Sequence, residues 1–500
     1  MKTFNTLGAI AALLFLFSCT EKQDSGQTDL TVAILHTNDV HGEIENFPKL
    51  ASYKQQLEKQ YDHVVLVSAG DHFSGNPYVD FYSEKGYPMI DIMNQVGYHV
   101  MAVGNHEFDY GQQVLARRME QANFPFIAAN VETTGEDLPV FQPSHTIDLD
   151  GTELMFVGFV QLGYGGVPST HPDKVEGFAF TDALEVYSEY LHLKDSADAF
   201  IALSHLGYST DRELAGRTGA FDVIIGGHSH TTISEPEFVN NTLVAQAGDD
   251  LEYVGQVDLT FKEGRLTERT SKLVKLDTLE DEDQAVKAAV EGYYQDNTFT
   301  DPIGTAETEI RGKHELGCLF TDAQVATQHL DFCFQNGGGI RIDRIEQGDI
   351  TPAMIFELDP FGNELVQLDM TGSEVEAFLM GSYNHSKSID LYPGGCSYTL
   401  TLNASGEASG ITIEPVNGTP FHADSTYRVG LNSYIVSSYT FDHADPGTSL
   451  NVTTAENIIE FIEEEGEVNY DGCKRVFTEA ELTSNGSDPE EAIVPANSEL

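Results

Sequence analysis

The chain has 500 residues, 40% apolar and 21% charged, a globular balance sized for two to four domains and not a disordered one. With 80 Asp and Glu against 26 Lys and Arg, its net charge is −54. So acidic a surface repels nucleic acid and anionic membranes, and any anionic substrate needs a strongly positive local field to approach it.

Lys2 precedes an apolar run from Leu7 to Phe17 that closes as Leu16-Phe17-Ser18-Cys19. A basic start, a short apolar core and a small residue before the cut describe an export signal over 1–19, too short to span a bilayer. Cys19 directly after that small residue resembles a lipobox, whose lipidated cysteine anchors a protein facing the periplasm or cell surface. The alternative is simple cleavage and release into the periplasm. Residues 20–30 (TEKQDSGQTDL) read as a polar tether.

Residues 31–276 repeat one build. "VAILHTND", "HVVLVSAGD", "VMAVGNHE", "ELMFVGF", "AFIALSHLG" and "DVIIGGHSH" are apolar, β-rich runs, most of them ending in polar or glycine residues. Strands apolar on both faces imply a covered sheet and a layered α/β domain. Their polar tips fall at carboxyl ends, where such sheets gather their sites. Residues 277–300 are charged with helical spacing and predict a connecting helix. A second domain over 301–480 carries the glycine turn Asn336-Gly337-Gly338-Gly339 and further strands. The tail, 481–500, is acidic and predicts disorder. Cys318, Cys333, Cys396 and Cys473 match no zinc motif; two bridges in one of three pairings and buried thiols are equally open.

The chemistry gathers at five strand tips. These carry Asp39 and His41, then Asp71, then Asn105 and His106 in "GNHEFD", then His205, then His228 and His230 in "GGHSH". Residues at i and i+2 of an extended segment share a face, so Asp39 with His41, and His228 with His230, point together. Imidazole, carboxylate and amide ligands without thiolate suit Zn, Mn, Fe or Co. They outnumber the needs of one ion and fit two, with Asp71 as the bridge.

In this order, DxH, GD, GNHE, a lone His and GHxH resemble the calcineurin-like metallophosphatase signature. The wording "ILHTNDVHG", "GNHEFDYG", "GGHSH" and "NGGGIR" resembles the secreted 5′-nucleotidase family, which includes bacterial UDP-sugar hydrolases, over residues 31–480. The resemblance implies a four-layer α/β/β/α metallophosphatase domain, a connecting helix and an α+β substrate-binding domain that rotates to deliver substrate. It implies Asp39, His41 and His230 on one metal, Asn105, His205 and His228 on a second, and Asp71 between them. His106 and Asp109 become a catalytic dyad, and Asn336, Gly338 and Arg341 a phosphate or ribose site. The family's "GGDG" with its aromatic is replaced here by "SSYTFDH". Phe441 or Tyr439 then takes the base-stacking place, Asp442 the ribose and Tyr392 the second stacking face, with core packing the alternative for each aromatic. The implied reaction is hydrolysis of nucleoside 5′-monophosphates. UDP-sugar or 2′,3′-cyclic-nucleotide hydrolysis, or a binding protein without catalysis, are the other readings.

Overall fold

The computed structural model describes residues 29–481 apart from 137, 164–165 and 296–298; the export signal, Cys19, most of the tether and nearly all of the acidic tail lie outside them. Two six-stranded sheets lie face to face in the N-terminal half. In the first, Leu30–Thr37, His63–Ser68, Val100–Ala102 and Phe126–Ile127 run parallel, with Tyr253–Lys262 and Arg265–Lys275 joined antiparallel. In the second, Thr242–Ala245, Val223–Gly226, Ala199–His205 and Thr152–Val160 run parallel between antiparallel edges Glu237–Val239 and Ser144–Leu149.

The apolar runs explain the layering. Along Leu30–Thr37, Val32 and Ile34 pack against the second sheet, on Leu154, Phe156, Ile201 and Val223. Ala33 and Leu35 turn the other way, onto Phe47, Leu50, Met89 and Ile92 of the helices Phe47–Leu57 and Tyr87–Val96. The second sheet likewise buries Phe200, Ala202 and Ile224 against Leu214 and Ala215 of the helix Tyr208–Arg217. Each such side chain contributes roughly 1.5–3 kcal/mol. A one-residue slip would exchange the two faces of every strand, so the register is fixed and with it the position of each strand tip. The layers are α/β/β/α.

The C-terminal half centres on a five-stranded sheet in the order Leu391–Gly394, Phe332–Asn336, Thr426–Asn432, Glu364–Thr371 and Thr448–Thr453. The helices Gly312–Gln328, Gly372–Ser386 and Thr454–Glu465 pack on it in one apolar cluster of their own. Cys318 and Cys473 are bridged, whereas Cys333 and Cys396 are buried free thiols. Of the two readings open for the cysteines, one pair follows each.

The helix expected over 277–300 is shorter, running from Gln284 to Tyr293. Asp283 caps it by accepting from the N–H groups of Ala285 and Val286. Ahead of that cap, Asp277, Glu280 and Asp281 would stack like charges at helical spacing. Val286 and Val290 are buried in the N-terminal apolar cluster, so the helix is packed onto that half along its length. Among the described residues no helix is long and apolar enough to cross a membrane.

Candidate metal centre and substrate pocket

The carboxyl ends of the central strands converge on one spot. Asp39, His41, Asp71, His228 and His230 all adopt left-handed backbone, with φ of 50°, 50°, 56°, 74° and 53°. For residues other than glycine this costs on the order of 1 kcal/mol or more each and persists only where surroundings impose it. Glu107 does part of the imposing: its buried carboxylate accepts from the backbone N–H groups of Asp71 at 2.9 Å, His72 at 2.8 Å and Gly104 at 2.6 Å. Gly104 has to be glycine, since a Cβ there would lie 2.2 Å from Asp71 Oδ1.

The expected ligands meet in space. Asp39, His41 and His230 offer ligand atoms within 4.8 Å of one another, and so do Asp71, His205 and His228. A third group, His41, Asp71 and His106, joins the two. Asn105 Oδ1 lies 3.1 Å from His228 Nδ1, on the second side. His41 Nε2 and His230 Nε2 are 3.2 Å apart. His205 Nε2 is buried 2.8 Å from Asp71 Oδ2 without making a hydrogen bond. Converging lone pairs and an orphaned buried nitrogen are what a divalent cation satisfies, so the residues fit such ions.

Electrostatics divide the set. Burial acts against charge on His205 and His230, but the Asp71 and Asp39 carboxylates bring His205 up to about 10, and Asp249 and Asp39 raise His230. Burial, then the charges of Arg341 and His106, holds His41 well below its usual range. Burial and then His205 bring His228 down to about 3. Both are therefore neutral, the state in which imidazole ligates. Burial acts against a charged His106, but the Asp109 and Asp71 carboxylates outweigh it and raise its pKa. His106 Nδ1 donates to Asp109 Oδ2 at 2.6 Å, while Ser74 Oγ and Thr170 Oγ1 each donate to Asp109 at 2.7 Å. Nε2 of His106 then points toward Asp71, 3.9 Å away.

A cavity of about 720 Å³ opens from this spot between the two halves of the chain. The N-terminal half lines it with Asp71, Asn105, His106 and Asp109, and the C-terminal half with Asn336, Gly338 and Arg341. Arg341 Nη2 approaches His41 Nε2 at 3.0 Å and crosses the Phe361 ring. Asn336 Oδ1 accepts from Asn432 Nδ2 at 3.0 Å, which orients it.

Three expected substrate contacts are not brought here. Tyr392, only 9% exposed, packs in the core under Gly317 and against His314, because its position in Leu391–Gly394 turns it to the helix Gly312–Gln328. Phe441 packs on Phe378 and His443, with ring centroids 4.6 and 4.7 Å apart, and Asp442 beside it is exposed away from the cavity. The aromatics that do line the cavity are Phe361, Tyr434 and Tyr439. Sequence reading missed Phe361, Tyr434 and Glu107. "DPFGNE" held a usable signal, because a Phe between Pro and Gly on a turn has no strand or helix face to bury it.

The comparisons with known proteins agree with this layout. Residues 32–232 match the calcineurin-like phosphoesterase family, and residues 297–441 match the 5′-nucleotidase C-terminal domain. The chain belongs to the 5′-nucleotidase family. Among its relatives, the 5′-nucleotidase of Vibrio cholerae is 27% identical over 506 residues, covering 87% of this chain and 90% of that one. The trifunctional nucleotide phosphoesterase protein YfkN of Bacillus subtilis is 29% identical over 473 residues, which are 82% of this chain but only 32% of that protein. The crystal structure of a 5′-nucleotidase precursor from Thermus thermophilus superposes with a TM-score of 0.79 at 25% identity, covering 90% of this chain and 99% of that one. As a family member with a calcineurin-like domain, the chain is built for divalent metal ions.

Proposed function

We propose that the protein is a metal-dependent phosphohydrolase that releases phosphate from nucleoside 5′-monophosphates. One observation carries this reading: two ligand groups joined by His41, Asp71 and His106 open into a cavity whose far wall supplies Arg341 and three aromatic rings. In this reading Asp39, His41 and His230 hold one cation, Asn105, His205 and His228 hold another, and Asp71 serves both. Cations so held neutralise phosphoryl charge and acidify water, which also answers the repulsion of a −54 chain. The remaining work falls to side chains. His106, kept protonated by Asp109, donates through Nε2 to a phosphoryl oxygen as charge builds there. Arg341 grips the same group from the opposite wall, and Phe361, lying over both, keeps water from its outer side. Phe361, Tyr434 and Tyr439 offer stacking surfaces for a base.

The test is a substrate panel of AMP, UDP-glucose and 2′,3′-cyclic AMP with protein loaded with Zn, Mn or Co. Release of phosphate from AMP is expected. Inertness toward AMP would overturn the monophosphate reading, and turnover of UDP-glucose alone would favour a diphosphatase. Export and lipid attachment at Cys19 belong to the same proposal, since the resemblance to a lipobox supports a surface or periplasmic enzyme. Lipid labelling that persists in Cys19→Ala would refute it.

A further inference from the structure

The His230 side chain is 33% exposed, whereas Asp39 and His41, with which it groups, are buried. An imidazole so placed has two tautomers and can turn about its Cβ–Cγ bond, so by itself either ring nitrogen could face the ligand group. The neighbouring loop removes that freedom. Asp249 Oδ2 accepts from His230 Nδ1 at 2.9 Å. The opposite nitrogen, Nε2, is thereby turned inward, 3.2 Å from His41 Nε2 and 3.6 Å from Asp39 Oδ1. With its proton pinned on Nδ1, a neutral His230 presents its lone pair at Nε2.

The loop carrying Asp249 is held from both sides. Asn38, next to Asp39, donates from Nδ2 to Gly248 O at 2.6 Å and accepts at Oδ1 from Ala247 N at 2.9 Å. Gly248 N donates to Thr231 O at 3.2 Å, and Asp250 N to Asp39 O at 2.8 Å. Gln246 Oε1 accepts from Thr231 N at 2.7 Å. Residues 246–250 therefore tie the Asp39 tip to the His230 tip, and Asp249 rides on that tie. The buried imidazoles are oriented differently. His41 Nδ1 lies 3.2 Å from Ser74 O and His205 Nδ1 2.7 Å from Ala69 O, both neutral carbonyls. Of these three rings, His230 is the one backed by a full charge. As an exposed ion pair, Asp249 with His230 would contribute only about 0–1 kcal/mol to folding; its lever is the second nitrogen of the ring.

We propose that Asp249 is a positioning residue of the metal centre. It fixes the tautomer and ring orientation of His230, and its charge strengthens the hold of that imidazole on one cation. This rests on the two-cation part of the phosphohydrolase reading and deepens it: the position assigned to Asp39, His41 and His230 depends on a carboxylate outside the ligand set.

The test is calorimetric zinc titration of the metal-stripped full chain, with nitrogen NMR of the histidine rings in the zinc-loaded protein. Wild type is expected to take two ions and to carry the His230 proton on Nδ1. Asp249→Ala is expected to weaken one ion by about 10–100-fold, to leave the other unchanged and to lose the Nδ1–H signal of His230. Asp249→Asn keeps an oxygen acceptor without the charge, so the signal should return with only part of the affinity. Equal weakening of both ions, no weakening of either, or an unchanged His230 signal in Asp249→Ala overturns the proposal. The titration needs no turnover. Inertness of zinc-loaded wild type toward every nucleotide would sink the phosphohydrolase reading instead, and the binding data would still decide Asp249.

Discussion

Phe361, from the C-terminal half, lies over the imidazole of His106, from the N-terminal half, with ring centroids 5.7 Å apart and planes 20° from parallel. One aromatic thus touches both the dyad and Arg341, whose guanidinium carbon lies 5.8 Å from its centroid. Phe361→Ala is expected to raise KM for AMP by about tenfold, the loss of a stacked ring and a cation–π contact together. Phe361→Tyr should restore most of it. Steady-state kinetics decide the matter, and an unchanged KM in the alanine variant would remove Phe361 from substrate binding.

His106 and Asp109 should fail in different ways. His106→Ala is expected to lower kcat by on the order of 10²–10⁴-fold while metal content is retained, because His106 is given a proton-donating and not a ligating role. Asp109→Asn leaves the imidazole in place with its orienting charge removed and should lose less. Metal analysis beside turnover separates the roles; loss of a stoichiometric ion from His106→Ala would make it a ligand.

Asp71 and Glu107 are expected to be coupled. In the proposed reading Asp71 serves both cations, so Asp71→Asn should cut metal content at both positions; it groups with His205 and His228 and, separately, with His41 and His106. Glu107→Gln keeps the shape but sets an NH₂ against backbone donors, so it should weaken metal affinity by about 10–100-fold without unfolding the chain. Chelation should lower the melting temperature of wild type more than that of Asp71→Asn. Equal shifts would contradict the assignment.

Asp359 offers a test through stability. It is buried, accepts from Thr454 Oγ1, and burial pushes its carboxyl up to about 7. An unfolded Asp titrates near 3.9. Between these two values the folded state holds a proton that the unfolded state has lost, so stability falls as pH rises from about 4 to about 7. Asp359→Asn, which cannot ionise, is expected to melt about 2–4 °C above wild type at pH 8 and to show no such gain at pH 4. A gain equal at both values would rule out ionisation as the cause.

What was legible in the sequence was whatever one strand carries by itself. Ala33 and Leu35 on one side and Val32 and Ile34 on the other announced a strand covered on both faces, and each polar tip followed its own apolar run. That placed the candidate ligands at strand tips, but not by a shared extended face: Asp39, His41, His228 and His230 are left-handed, and His228 groups with Asp71 and His205 while His230 groups with Asp39 and His41. The cavity wall was less legible because it is assembled from both halves of the chain. For Tyr392 and Phe441 the sequence left base stacking and core packing both open, and a sheet and a helix of the second domain absorb them. Phe361 sits on a turn, where no periodicity marks it, and its partner His106 lies 255 positions earlier, from 361 − 106. Glu107 was read within "GNHE" but its three backbone acceptor roles depend on loops that meet only after folding.

The left-handed torsions at Asp39, His41, Asp71, His228 and His230 limit how this centre can be edited. Asparagine and glycine enter such torsions cheaply, whereas valine, isoleucine and threonine do so worst. A saturation scan should therefore rank β-branched replacements below alanine at all five sites, including half-buried His230, even when no replacement can ligate. Asparagine at 39 or 71 isolates the missing charge, while any bulkier swap also bends the loop that carries it.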